Sequence, residues 1–391
     1  MSLIDMNKTY FSYCMNNHPA SNYQELKSNL TQFARPIKEA VKEYGEMSIE
    51  LHLNDIVANE TLNSCDDLIN HLKELNLLVT SINNFPLIDF HQPIVKEKVY
   101  LPNWAHSERL ESTKTCAQIL ANIVLAQPES KSIQVPISTL AGCYQYHDYD
   151  SDQMLENFLS MADFLIQLNQ DNNIHLTLAL EPEPQTTLDT KESIIKFFKK
   201  DLKIKAEQTK RNYDQILKVI GLNFDTCHSS VIFEKPKDVV EELLNQNIPI
   251  FKFHITSAPK FCSPITKDKI EALKKLNEPK YLHQTYTKIK NKIIAYQDLN
   301  LLVDSNIMDV DEIRTHFHTP LYLTDFGPAK TTNNEVEELL QFLKTIPNTY
   351  NFVTETYTWP QHLDAIEAEN FDIKKGIQDE VSWLMKAWNS A

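Results

Sequence analysis

The chain has 391 residues, 42% of them hydrophobic and 23% charged, which is the balance of a soluble globular protein and not of a disordered or membrane chain. Its formal net charge of −15 opposes a polyanionic partner, because phosphate neutralisation needs a concentrated basic face, so no nucleic-acid partner is expected. The five glycines, at Gly45, Gly142, Gly221, Gly327 and Gly376, fit neither G-x-G-x-x-G nor G-x-x-x-x-G-K-[ST], which excludes the dinucleotide fingerprint and the phosphate-binding loop.

No apolar run approaches the roughly 18 to 20 residues that span a bilayer, and the stretch from Met1 to Tyr13 lacks the layout of a signal peptide. A cytoplasmic protein without membrane insertion is the expectation. The six cysteines, Cys14, Cys65, Cys116, Cys143, Cys227 and Cys262, are scattered without a C-x-x-C pair, as free thiols in a reducing compartment would be.

Along the chain, short β-rich runs alternate with longer stretches of helical period, the pattern of a parallel α/β architecture. The expected strands are Tyr10–Asn16, Met47–Leu53, Leu77–Asn84, Ile133–Thr139, Leu176–Glu181, Leu222–Asp225, Ile250–Ile255 and Asn351–Thr356. Between them run amphipathic segments: Tyr23–Tyr44, Cys65–Leu75, Glu108–Ala126, Ser151–Asn169, Thr190–Ile220 and Pro236–Asn247. Asp189 with Glu192 resembles a capping box, and the lysines between Lys196 and Lys210 read as a solvated helix face. Right-handed crossovers repeated eight times close a (β/α)8 TIM barrel. An open doubly wound sheet fits the same alternation, but the polar residues at the strand ends argue against it.

From Ala258 to His318 the pattern loosens into a lysine-rich stretch with helix-like Thr266–Leu276 and Tyr286–Tyr296. It reads as an insertion between strands seven and eight, spanning 259–330, in a single domain of 1–391. Pro320–Asp325 reads as a further short strand and Glu335–Thr345 as the helix before the last barrel strand.

In such a barrel the C-terminal strand ends converge on one mouth. The fifth run ends in Glu181-Pro182-Glu183-Pro184, where proline stops the ladder behind a carboxylate. The sixth ends in Asp225-Thr226-Cys227-His228, which fits either a helix cap or a pair of ligands. Alternation in Phe251-Lys252-Phe253-His254 turns His254 inward and the phenylalanines outward. The last run carries Glu355 in a β-branched and aromatic setting, where an uncompensated charge would cost several kcal/mol. Taken singly, each has a bland reading as a surface carboxylate, a cap or a core histidine. Four successive strands ending in Glu181, Asp225, His254 and Glu355 point jointly to one divalent-metal site, an oxygen-rich set suited to Mn or Mg, with Zn, Co or Fe tolerated by the histidine.

The chain resembles the xylose-isomerase-like sugar phosphate isomerase/epimerase superfamily and, within it, the EboE-like metabolite traffic proteins, nearly end to end. The resemblance is carried by Tyr13-Cys14 with His18-Pro19, Ile82-Asn83-Asn84-Phe85-Pro86, Val95 to Pro102 with Trp104, and Leu180 to Pro184. It continues in Asp225 to His228, Tyr281 to Gln284, Arg314 to His318 with Pro320, and Glu355 to Trp359. In the ketose 3-epimerases of the superfamily the four strand-end residues bind the metal, which maps onto Glu181, Asp225, His254 and Glu355, and the histidine matching His228 contacts substrate. EboE-like chains often carry glutamine at the position of His254, so the histidine here completes the ligand set.

The resemblance implies an isomerase or epimerase acting on a sugar, polyol or cyclitol-like metabolite, with Glu181 and Glu355 as the acid/base pair about a metal-stabilised enediolate. Two rivals are a multi-metal phosphodiesterase, in which His228, His316 and His318 hold further ions, and a non-catalytic metabolite carrier. Further pocket candidates are His18, Asn83, Tyr100, Trp104, His283, Arg314 and Trp359. Other proteins of a metabolite-export system are the partners the resemblance suggests.

Overall fold

A computed structural model describes residues 8–88, 94–129, 133–303, 309–359 and 372–390. Seven strands come first in the chain: β1 (Thr9–Tyr13), β2 (Ile49–His52), β3 (Val79–Asn83), β4 (Val135–Leu140), β5 (Leu176–Glu181), β6 (Ile220–Asp225) and β7 (Ile250–Ile255). After them lie β8 (Pro259–Cys262), β9 (Thr285–Ile289), β10 (Lys292–Tyr296), β11 (Glu312–Thr315), β12 (Asp325–Phe326) and β13 (Ala329–Thr331), and then β14 (Tyr350–Thr354).

The first seven strands and β14 form one parallel sheet in the order β1-β14-β7-β6-β5-β4-β3-β2. Parallel bridges from Phe11 to Met47 and from Cys14 to Glu50, with Ser48 N donating to Phe11 O at 2.8 Å, join β1 to β2 and close the ring. The fold is therefore the (β/α)8 barrel that the alternation of runs predicts, with all eight expected strands present. Strands such as β4 and β5 are buried at every position, as they must be when helices cover the outside and side chains fill the inside.

Register sets the level of the mouth. Leu140 pairs with Glu181, Asp225 with His254, and Val353 with His254, so Glu355 lies just beyond the level that Asp225 and His254 share. The helices hold this barrel by apolar stripes. Helix Pro236–Asn245, with proline in its first turn, buries Val239, Val240 and Leu243, each contributing about 1.5–3 kcal/mol. Trp388 of helix Ile373–Asn389 packs edge-on against Tyr350 and Phe352, with ring centroids 5.4 and 4.9 Å away. That helix and Asp55–Asn63 add to those expected from periodicity.

Between β7 and β14 the chain builds a second, antiparallel sheet in the order β10-β9-β11-β8-β13-β12 around its own core, which includes Phe261, Leu273, Leu299, Ile313 and Phe317. Here the helical expectation for Tyr286–Tyr296 fails. The segment is the hairpin β9–β10, because Thr285, Tyr286, Thr287 and Ile289 are β-branched or aromatic residues that favour a strand and Lys290 turns the chain at φ +56°. Pro320–Asp325 is mostly turn, with Leu323 N donating to Pro320 O, and only Asp325 begins a strand. The capping box lies one residue later than expected: Thr190 caps Lys191–Lys196 reciprocally with Ser193. The long helix expected over Thr190–Ile220 runs to Gln208, turns, and gives way to β6 at Ile220.

Candidate metal centre and pocket

The four strand-end residues meet. Ligand atoms of Glu181, Asp225, His254 and Glu355 all lie within 4.8 Å of one another, and all four residues are buried. His254 Nδ1 is 2.9 Å from Glu181 Oε1, 3.0 Å from Glu355 Oε2 and 3.8 Å from Asp225 Oδ2. Asp225 is both cap and candidate ligand. Its Oδ1 accepts from His228 N at 3.0 Å and from Thr256 Oγ1 at 2.6 Å, starting helix Thr226–Val231, while Oδ2 accepts no hydrogen bond. Glu181 Oε2 likewise accepts none. Glu355 Oε1 is held by Asn16 Nδ2 at 2.8 Å and Asn83 Nδ2 at 3.1 Å, leaving Oε2 toward the histidine.

Beneath these groups the barrel interior holds Glu50 and Lys252, both fully buried and in contact with each other and with His254. Four buried carboxylates against the Lys252 ammonium and the His254 imidazole leave an excess of negative charge, and Asp225 Oδ2, which accepts no hydrogen bond, lies 3.8 Å from His254 Nδ1. Both observations fit a divalent cation. Burial by itself would push the Glu181 carboxyl up, but the adjoining His254 charge more than offsets this and holds it below its usual range. Burial opposes the charged form of His254, and Glu181 and Glu355 overcome it, raising the imidazole well above its ordinary value.

Above the cluster, a cavity of about 520 Å³ including its mouth is lined by Glu181, Glu355, His228, His316, His318, Tyr100 and Glu183, with Asn16, Phe85, Pro86, Val99, Tyr281, Leu282 and Tyr357. No lysine or arginine is among them. Burial, with Glu181 nearby, lifts the Glu183 carboxyl to about 7, although Tyr100 donates to its Oε1 at 2.6 Å. Glu183 enters the site because Pro182 and Pro184 end the ladder and Gln185 takes the left-handed conformation at φ +66°. At Gly142, in the loop after β4, φ is +86° and an added Cβ would meet Thr187 Oγ1 at 2.1 Å, so only glycine fits.

Three histidines form a second group. His228 Nδ1 lies 2.8 Å from Pro182 O, His316 Nδ1 2.8 Å from Gln284 Oε1, and His318 Nδ1 contacts Glu355 O. Each Nδ1 faces an oxygen acceptor and so carries a proton, which leaves Nε2 as the acceptor atom of any of these rings that is neutral. His228 Nε2 and His316 Nε2 then oppose each other at 3.1 Å, an arrangement that requires a shared proton or a cation. The three rings also offer ligand atoms within 4.8 Å of one another. Burial, then repulsion from His228 and His318, holds His316 well below its ordinary pKa, whereas Asp225 and Glu183 overcome burial to raise His228.

The remaining sequence candidates lie around this pocket and not on its wall. Asn83 braces Glu355, and His283 bonds His316 O and Glu278 at 2.8 and 2.9 Å. His18 stacks on Phe33 at 3.9 Å, and Trp104 packs on Phe158 at 4.5 Å. Arg314 makes a two-pronged pair with Glu335 and stacks on Phe233, while Trp359 is fully buried. The residues missed by sequence reasoning are Glu50, which no motif marks, and Lys252, which shares the inward face of β7 with His254, together with Asn16 and the aromatic wall residues Tyr281 and Tyr357.

No protein-family model matches the chain, and no curated protein gives a significant match. Among solved structures, similar ones include a D-tagatose 3-epimerase-like protein, 14% identical over 96% of this chain and 98% of that chain, with a TM-score of 0.45. The IolI protein with a bound zinc atom is 12% identical over 98% and 100%, with a TM-score of 0.47. L-ribulose 3-epimerase is 10% identical over 98% and 95%, with a TM-score of 0.45. What this site can do follows from its own donor set. Among the described residues no helix is long and apolar enough to cross a membrane.

Proposed function

We propose that the chain is a divalent-metal-dependent isomerase or epimerase acting on a hydroxy-carbonyl metabolite such as a sugar, polyol or cyclitol. The observation that carries this reading is the convergence of Glu181, Asp225, His254 and Glu355 at the floor of a pocket. These four residues would hold the cation, which when bound supplies Lewis acidity to the adjacent oxygens of a hydroxy-carbonyl compound.

The protein's own part is proton transfer. Glu181 and Glu355 come from β5 and from the end of β14, on either side of His254, and both line the pocket. One carboxylate removes the proton from the carbon beside the carbonyl, and the other returns a proton to the opposite face or to the neighbouring carbon. Glu181 suits the first task because it lines the pocket and its Oε2 accepts no hydrogen bond. Asn16 and Asn83 orient Glu355 for the second.

A second reading draws on the opposed Nε2 atoms of His228 and His316: with further ions there, the site would hydrolyse a small phosphoester. That no lysine or arginine lines the pocket among the described residues favours an uncharged substrate instead. The test is metal-loaded protein incubated in D2O with a panel of ketoses, aldoses and cyclitol ketones. The isomerase reading expects deuterium at the carbon beside the carbonyl, lost in Glu355→Gln. No exchange with any of them, together with more than one ion per chain and phosphoester cleavage, would establish the rival.

A further inference from the structure

Two fully buried charges of the barrel interior, Glu50 on β2 and Lys252 on β7, are not among the residues that line the pocket. Their contacts all lead to one ring. Glu50 Oε1 is 3.0 Å from His254 Nε2, and Glu50 Oε2 takes the Lys252 ammonium and the Ser81 hydroxyl, the latter at 2.6 Å. Lys252 also donates to Ser138 Oγ at 2.7 Å and lies 3.0 Å from His254 Nε2. The other side of the ring, Nδ1, is the one that faces Glu181, Glu355 and Asp225.

A neutral imidazole has one N–H. If Nδ1 faces a cation, the proton must sit on Nε2, and on a ring that is 0% exposed it needs an acceptor on that side. Glu50 Oε1 is that acceptor, and the Lys252 ammonium, which can only donate, then directs its protons to Glu50 Oε2 and Ser138 Oγ and not to Nε2. Alone, a buried carboxylate there would add a further uncompensated charge beneath an already acidic cluster; the Lys252 ammonium cancels it.

We infer that Glu50 is a positioning residue: it takes the Nε2 proton of His254, fixes the tautomer and tilt that present Nδ1 as a metal ligand, and depends on Lys252 for charge balance. The inference rests on the metal reading and adds to it a group from the opposite side of the barrel, 204 residues away in sequence from the ligand it orients.

Two charge-neutral double variants separate orientation from packing. Glu50→Gln/Lys252→Met keeps an oxygen that can accept from Nε2, whereas Glu50→Leu/Lys252→Met removes it, and neither leaves an unpaired buried charge. Co2+ binding to the full chain, measured by visible absorbance in competition with a chelator, is expected to stay near the wild-type constant in the first variant. In the second it is expected to fall ~10–100-fold. Both variants are checked for a cooperative urea transition. Wild-type uptake of Co2+ with equal constants for the two variants overturns the role of Glu50 alone, whereas a wild-type chain that takes up no Co2+ overturns the metal reading as well. Should either variant fail to fold, wild-type protein labelled with 15N-histidine and loaded with Zn2+ decides. The ring lost in His254→Asn must carry its proton on Nε2, and a proton on Nδ1 contradicts the inference.

Discussion

Replacing Glu380 by glutamine is expected to stabilise the protein increasingly as pH rises. Glu380 is fully buried on helix Ile373–Asn389; its Oε1 accepts from Leu321 N at 3.1 Å and from the Thr356 hydroxyl, and its Oε2 accepts nothing. Burial lifts its carboxyl to about 8 from an ordinary 4.5, only partly opposed by those two donors. Below about 4.5 the proton is bound in both folded and unfolded chains and no pH-dependent term arises. Between about 4.5 and 8 the unfolded chain releases it and the folded one keeps it, so stability falls as pH rises through that window. At about 1.4 kcal/mol per unit over 3.5 units, the loss reaches about 5 kcal/mol as an upper bound. Glutamine accepts the same two hydrogen bonds without titrating. Urea unfolding at pH 5, 6.5 and 8 should therefore show the stability of Glu380→Gln relative to wild type climbing by several kcal/mol across the series. A difference that does not change with pH refutes the reasoning. Because Thr356 follows Glu355, this buried acid also fixes the backbone that carries a candidate ligand.

Mn2+ at a hundredfold excess over its dissociation constant should stabilise the wild-type chain by about 2.7 kcal/mol, and far less in Glu355→Gln, as urea unfolding with and without the ion will show. Equal gains in both proteins would exclude Glu355 as a ligand. Arg314→Met should cost about 3–5 kcal/mol by leaving Glu335 buried without its partner, while Co2+ affinity stays at the wild-type value; loss of affinity would place Arg314 in the site after all. Tyr100→Phe removes the hydroxyl donated to Glu183 and should move that carboxyl further above about 7, read from the infrared band of the protonated acid against pH. An unchanged or lower midpoint contradicts that role.

The barrel and the four strand-end residues were legible because both depend on short-range signals: β-rich runs bounded by turns, and a polar residue where each run stops. Alternation in Phe251-Lys252-Phe253-His254 places Lys252 on the same inward face as His254, so half of the buried ion pair was readable there. Its partner was not, since Ile49-Glu50-Leu51-His52 carries no mark that Glu50 crosses the barrel to meet β7. The hairpin Thr285–Tyr296 was misread because its apolar residues Tyr286, Ile289, Ile293 and Tyr296 repeat at near-helical spacing, and its real signal is the β-branched and aromatic content on each side of Lys290-Asn291. Trp104 and Trp359 read in the sequence as packing residues more readily than as ligand platforms, and their burial fits the packing reading. Glu183 reads as half of a surface pair until Gln185 and the two prolines turn it inward against Tyr100.

The most direct test of the account is the anomalous difference density of a crystal soaked in Mn2+. A peak within roughly 2.0–2.3 Å of oxygens from Glu181, Asp225 and Glu355 and of His254 Nδ1 is the result predicted. A peak bound elsewhere, or none at saturating Mn2+, would contradict it.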